Sequence, residues 1–155
     1  MKAIMKFAVQ VGATFSLDAD LTVNKGGRYF LLSEALLGVS RKNFYYAGKY
    51  LGKVKNGKFF PSFNLLMMLA EGKANKIVVN KKAAWLFICG RDVFRTGIVS
   101  VRGSRRKGDH VLVLNEFDEC LGFGRIVASL VGAAKKDEVA VKNVSDLGDF
   151  LRREI

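Results

Sequence analysis

Hydrophobic and polar positions change rhythm along the chain near Glu71-Gly72-Lys73. Before that point, short apolar runs alternate with glycine-rich turns. Phe7-Ala8-Val9-Gln10-Val11 reads as a strand, and Arg28-Tyr29-Phe30-Leu31-Leu32 follows Gly26-Gly27 as another. Ser33 to Leu37 offers an N-cap, an early acid and helix formers, with Gly38 as the stop. Tyr50 to Val54 and Lys58 to Phe60 flank Asn56-Gly57, a favoured two-residue hairpin turn. Pro61 ends that strand, and Ser62 caps a helix from Phe63 to Ala70 whose leucines and methionines make a packing face. The second half reads mostly as strands: Ile77-Val79, Trp85-Ile88, Gly97-Val101, Gly108-Leu114, Cys120-Val127 and Val139-Val141. A closing helix runs from Ser145 to Arg153. Many short, evenly spaced strands with single helices at the ends predict a small barrel. The fold class is α+β, with domains at residues 1–72 and 73–155.

Composition narrows the possibilities. At 155 residues the chain holds one ordinary domain or two small ones, and half of its residues are hydrophobic. It carries 26 Lys and Arg against 14 Asp and Glu, a net charge of +12. Residues 1–72 and 73–155 contribute +6 each. Such a basic chain expects an anionic partner, nucleic acid or acidic membrane. The longest uninterrupted apolar run, Ala83 to Cys89, is too short to span a bilayer, and no basic amphipathic helix of useful length appears. Met1 to Lys6 looks faintly like the charged region of a signal peptide, but the apolar stretch from Phe7 to Ala13 is broken by Gln10 and followed by Asp18 and Asp20, so a cleaved signal is not expected. Cys89 and Cys120 are too few for a disulfide framework and fit reduced thiols in a cytoplasmic protein.

Enzymatic signatures are missing. The single histidine, His110, sits beside Asp109 and reads as a surface turn residue rather than a triad member. Glu116, Asp118 and Glu119 fall in one hairpin tip, where carboxylates are solvated. Gly-Lys pairs at 48–49 and 52–53 lack the phosphate-loop spacing, and no metal-ligand spacing is found, so no cofactor is expected. Basic clusters are better represented. Six basic and seven aromatic residues interleave between Arg41 and Phe63, a pattern that suits single-stranded RNA or, in alternating strands, a core face opposite a solvated one. Arg102, Arg105, Arg106 and Lys107 form a second cluster, and Lys135, Lys136 and Lys142 a third. Arg125, Arg152 and Arg153 join the candidate RNA-binding surface from charge alone.

Two segments carry a family resemblance. Gly108-Asp109-x-Val111-x-Val113 followed by Leu121-Gly122-Phe123-Gly124-Arg125 resembles the central hairpin of PUA domains, RNA-binding modules named after pseudouridine synthases and archaeosine transglycosylases. Val139 to Asn143 and Asp146 to Arg152 look like that module's closing strand and helix. Gly57-Lys58-Phe59-x-Pro61-Ser62-Phe63-x-Leu65-Leu66 and Trp85-Leu86-Phe87-x-x-Gly90-Arg91-Asp92-Val93 further resemble the Nip family of large-subunit (60S-type) ribosome-biogenesis factors. The likeness runs from about Phe30 onward and looks archaeal in type.

The resemblance implies a small N-terminal α/β domain followed by a PUA-type pseudo-barrel of mixed strands. It implies a non-catalytic RNA-binding factor in ribosomal RNA maturation that binds single-stranded, uridine-rich RNA, and a monomer is expected. Pre-ribosomal assembly factors and the RNA exosome are its implied partners. By position, the family's basic contacts fall on Lys135, Lys136 and Lys142, and Val139 stands where another basic residue is expected. Two other classes stay open on sequence: an accessory module of an RNA-modification enzyme, and a protein adaptor whose charge is incidental. RNA-modification turnover would mark the first, and loss of RNA at about 150 mM salt the second.

Overall fold

The computed structural model describes residues 1–154, with side chains through Arg152. The chain opens with a helix, α1 (Lys2–Gln10), which buries Ile4, Phe7 and Ala8. That burial follows helical spacing, and it corrects the strand expected at Phe7–Val11. Ile4, Phe7, Ala8 and Val11 form one stripe, visible only when the apolar run is extended back to Ile4.

An antiparallel four-stranded sheet comes next, in the order β1 (Thr22–Lys25), β2 (Arg28–Leu31), β3 (Lys49–Lys55) and β4 (Lys58–Pro61). Both tight turns, Gly26-Gly27 and Asn56-Gly57, have positive φ at their two central residues, the conformation that matches strand twist. The helix expected at Ser33–Leu37 is a 3-10 segment, Glu34–Arg41, that runs through Gly38. It buries no residue, so no packing face favours an α-helix there. Helix α2 (Phe63–Glu71) starts at Ser62, whose hydroxyl accepts the Leu65 N–H at 3.1 Å and donates to the Tyr50 carbonyl at 2.6 Å. Its C-terminal end is satisfied by the buried Lys76 ammonium, which donates to the carbonyls of Ala70 and Gly72.

A curled six-stranded sheet forms the second half. Its order is β6 (Val93–Phe94), β10 (Val139–Asp146), β9 (Cys120–Ile126), β8 (His110–Leu114), β5 (Lys76–Val79) and β7 (Ile98–Arg102). Only the β5–β8 pair among these is parallel. The strand expected at Trp85–Ile88 is helix α3 (Lys81–Ile88), capped by the Asn80 side chain, which accepts the Ala83 N–H at 2.9 Å. β10 runs past the expected Val141 to Asp146, so α4 (Leu147–Glu154) begins two residues later than the expected Ser145. The architecture is α+β, as expected.

Two cores lie on opposite faces of this sheet. Ile77, Val79, Phe87, Val111, Val113, Ile126 and Val141 pack on one face. On the other, Leu112, Leu114, Phe123 and Phe150 meet Ile4 and Phe7 of α1, Leu51 of β3 and Leu65, Leu66 and Leu69 of α2. This second core therefore draws on residues from both sides of Gly72.

Candidate nucleic-acid interface

Register brings three polar side chains into one row. On neighbouring strands, His110 of β8 faces Arg125 of β9, and Arg125 faces Lys142 of β10. Cross-strand partners share a face, and strands lie about 5 Å apart, so the row spans about 10 Å. Arg125 and Lys142 are exposed, while His110 is half-buried. The row continues the face of Leu112 and Phe123, just beyond the part covered by α1.

His110 is the first residue of a strand, which corrects the surface-turn expectation. Its ring lies 6.3 Å from that of Phe123. Burial pushes the imidazole pKa down, and the Arg125 charge adds to that, partly opposed by Asp109. The Asp109 carboxylate is engaged elsewhere. It accepts from the Ser104 hydroxyl, which holds it below the usual carboxylate range, and from Arg106 Nε at 3.4 Å.

Lys135 and Lys136 sit exposed in the loop between β9 and β10. The base of that loop is tied down by two guanidinium groups. Arg95 Nη2 donates to the carbonyls of Leu130 and Gly132, each at 3.1 Å, and Arg105 Nη1 donates to Leu130 at 3.3 Å. Sequence reasoning missed Arg95, because an isolated arginine carries no signal of a carbonyl 35 residues away. The loop enters β10 at the end nearer Lys142. Arg152 is exposed on α4, which leaves β10 at the opposite end of an eight-residue strand, about 26 Å along. The Arg153 side chain lies outside the described residues.

The cluster at 102–107 is largely engaged within the fold. Arg102 pairs with Asp118 at 3.2 Å, Arg106 with Asp109, and Arg105 with the Leu130 carbonyl. Glu116, Asp118 and Glu119 lie in the β8–β9 turn, as expected, where Glu119 accepts from the Asn115 amide at 2.8 Å. Cys89 is a free, exposed thiol, and burial pushes the Cys120 thiol up to about 11. Among the described residues, no group of three or more His, Cys, Asp or Glu could hold a metal ion. No described helix is long and apolar enough to cross a membrane. What the row and its neighbouring loop offer is a set of solvent-facing cations suited to phosphate oxygens.

The architecture is that of PUA-domain proteins. It matches a PUA domain protein from Thermoplasma acidophilum with a TM-score of 0.65 at 20% identity, over 99% of this chain and 93% of that one. A PUA domain from Aeropyrum pernix K1 aligns at 26% identity and a TM-score of 0.51, over 62% of this chain and 56% of that protein's length. The family model described as the UPF0113 PUA domain matches residues 75–155, and the chain belongs to that family. Its relatives include a UPF0113 protein of Archaeoglobus fulgidus, 33% identical over 118 residues, which are 75% of this chain and 67% of the relative. A 60S ribosome subunit biogenesis protein NIP7 homolog of Danio rerio is 28% identical over 134 residues, 82% of this chain and 74% of that protein.

Proposed function

We propose that the protein is a non-catalytic RNA-binding factor of large ribosomal subunit biogenesis. The observation that carries this is the exposed Arg125–Lys142 pair, set by strand register in a PUA-family sheet beside the lysine-bearing loop. Relatives named as 60S ribosome subunit biogenesis proteins support the process. Lys135, Lys136, Arg125 and Lys142 contact phosphates of a single strand, with Arg152 extending the track towards α4 and Arg153 added from charge alone. Uridine-rich precursor ribosomal RNA is the bound ligand, and pre-ribosomal factors and the RNA exosome are the partners of a monomeric protein.

The four phosphate contacts of this face contribute about −3 to the log–log salt slope on a single strand. Titration of labelled oligouridine measures it. Replacing Lys135, Lys136 and Lys142 with Ala is expected to weaken binding and flatten the slope by about 2. Unchanged affinity in a folded triple variant would overturn the reading. Equal affinity for oligoadenosine would remove the uridine preference.

A further inference from the structure

The four-stranded sheet carries a second basic row that the PUA segment does not account for. Pairing places Lys25 opposite Arg28, Arg28 opposite Lys53, and Lys53 opposite Phe60, so these side chains line one face across all four strands. The other face packs Tyr29 and Phe59 against the shared core. Like charges directly opposite one another across strands are destabilising, and here three cations stand in succession. Among the described residues, none of the three has a carboxylate within ion-pair distance.

What the cations touch instead is aromatic. The Arg28 guanidinium lies 4.5 Å from the Tyr45 ring centre, 5.2 Å from Tyr50 and 5.3 Å from Phe30. Lys25 is 5.5 Å from the Phe44 ring, and Lys58 is 5.4 Å from Phe60. Tyr50 and Phe30 are buried, so their contacts belong to the fold. Tyr45 is different, with 83% of its surface exposed. Arg28 Nη1 also donates to the Tyr45 carbonyl at 2.9 Å, which fixes this residue over the row. Tyr46 beside it is 54% exposed and rooted against Phe30 at 5.5 Å.

A cation–π stack alone would explain Arg28 and its buried rings. It does not explain why Lys53 stands opposite the same guanidinium at a cost to stability, or why Tyr45 is held in water. Both make sense when an anionic chain with flat faces occupies the surface. Single-stranded nucleic acid satisfies both at once, its phosphates meeting the cations and a base face meeting the exposed ring. We infer that this sheet face is a second single-stranded RNA surface, with Tyr45 stacking a base and Lys25, Arg28 and Lys53 neutralising phosphates. The inference extends the RNA-binding reading above to the N-terminal half.

The test uses the full-length chain and a 4-thiouridine-containing oligouridine, titrated and then photocrosslinked with adducts mapped by mass spectrometry. Tyr45→Ala is expected to weaken binding about tenfold while leaving the salt slope unchanged, since stacking is lost but no charge is removed. Lys25→Ala with Lys53→Ala keeps Arg28 and the rings in place, and is expected to flatten the slope by about 1.4. Adducts are expected on residues 45–46. Wild-type binding by both variants, with adducts confined to residues 125–142, would overturn this inference and leave the PUA-face reading intact. That outcome is also what an acidic-protein surface would give. Loss of RNA in the N-terminal variants, with the Lys135, Lys136 and Lys142 triple variant unaffected, would keep this inference and sink the other.

Discussion

His110 shows how one residue can join a charged row and still act mainly on stability. Its imidazole is half-buried, with Arg125 as its strand partner, and both effects favour the neutral ring. In the unfolded chain the same ring takes up a proton below about pH 6.5. The folded ring resists until lower pH. The unfolded state therefore binds more protons in that window, and stability falls as pH falls through it. Urea midpoints measured between about pH 5.5 and 7.5 are expected to drop towards the acid end. His110→Gln is expected to flatten that drop, and an equal slope in the variant would refute the assignment. Asp109 acts in a lower window with the same direction. Its carboxyl is held down by the Ser104 hydroxyl, so its contribution is present above the ordinary carboxylate pKa and lost as pH falls through the folded value.

At the scale of elements, the pairing of β9 with β10 is what sets the Arg125–Lys142 row. Gly122 stands at φ +147, and a Cβ there would lie 2.1 Å from the Ser145 carbonyl oxygen. Neither the backbone conformation nor the space accepts a side chain. Gly122→Ala is expected to cost about 2 kcal/mol or more and to shift β10 against β9. Chemical denaturation measures the cost, and weakened oligouridine binding by the folded fraction reports the shifted row. A neutral substitution would show that β10 does not need this close approach. The Asn56-Gly57 hairpin and the Ser62 cap were legible in the sequence, because each rests on a local backbone demand, whereas Gly122 was legible only through the family resemblance of its segment. The helices α1 and α3 were not. Phe7–Val11 and Trp85–Ile88 are short apolar runs whose strand or helix character depends on neighbours, Ile4 in one case and the Asn80 cap in the other. Of the candidate site, residue types were legible and positions were not. Nothing local says that Arg125 pairs with Lys142, or that Lys25, Arg28 and Lys53 align, because register is a long-range property.

The whole molecule is joined by the core beneath both basic surfaces. Phe7 of α1 meets Phe123 of β9 edge-on at 5.1 Å, and also Phe59 of β4 at 5.9 Å. Phe63 of α2 packs on Phe150 of α4 at 5.9 Å. Leu51, Leu65, Leu66 and Leu69 complete the contact from the N-terminal side. Removing either half would leave the other with an apolar face in water, including Leu112, Leu114 and Phe123 on the PUA side. At about 25 cal/mol per Å² of apolar surface, exposing such a face offsets much of the 5–15 kcal/mol that keeps a domain of this size folded. The two halves are thus expected to unfold together. Calorimetry should give one transition whose calorimetric and van't Hoff enthalpies agree. Phe123→Ala, which opens a cavity at the junction, is expected to cost about 3–5 kcal/mol and lower that single transition without splitting it. Two resolved transitions in the wild-type protein, or a variant that melts only the sheet containing β9, would show instead that each half carries its own stability.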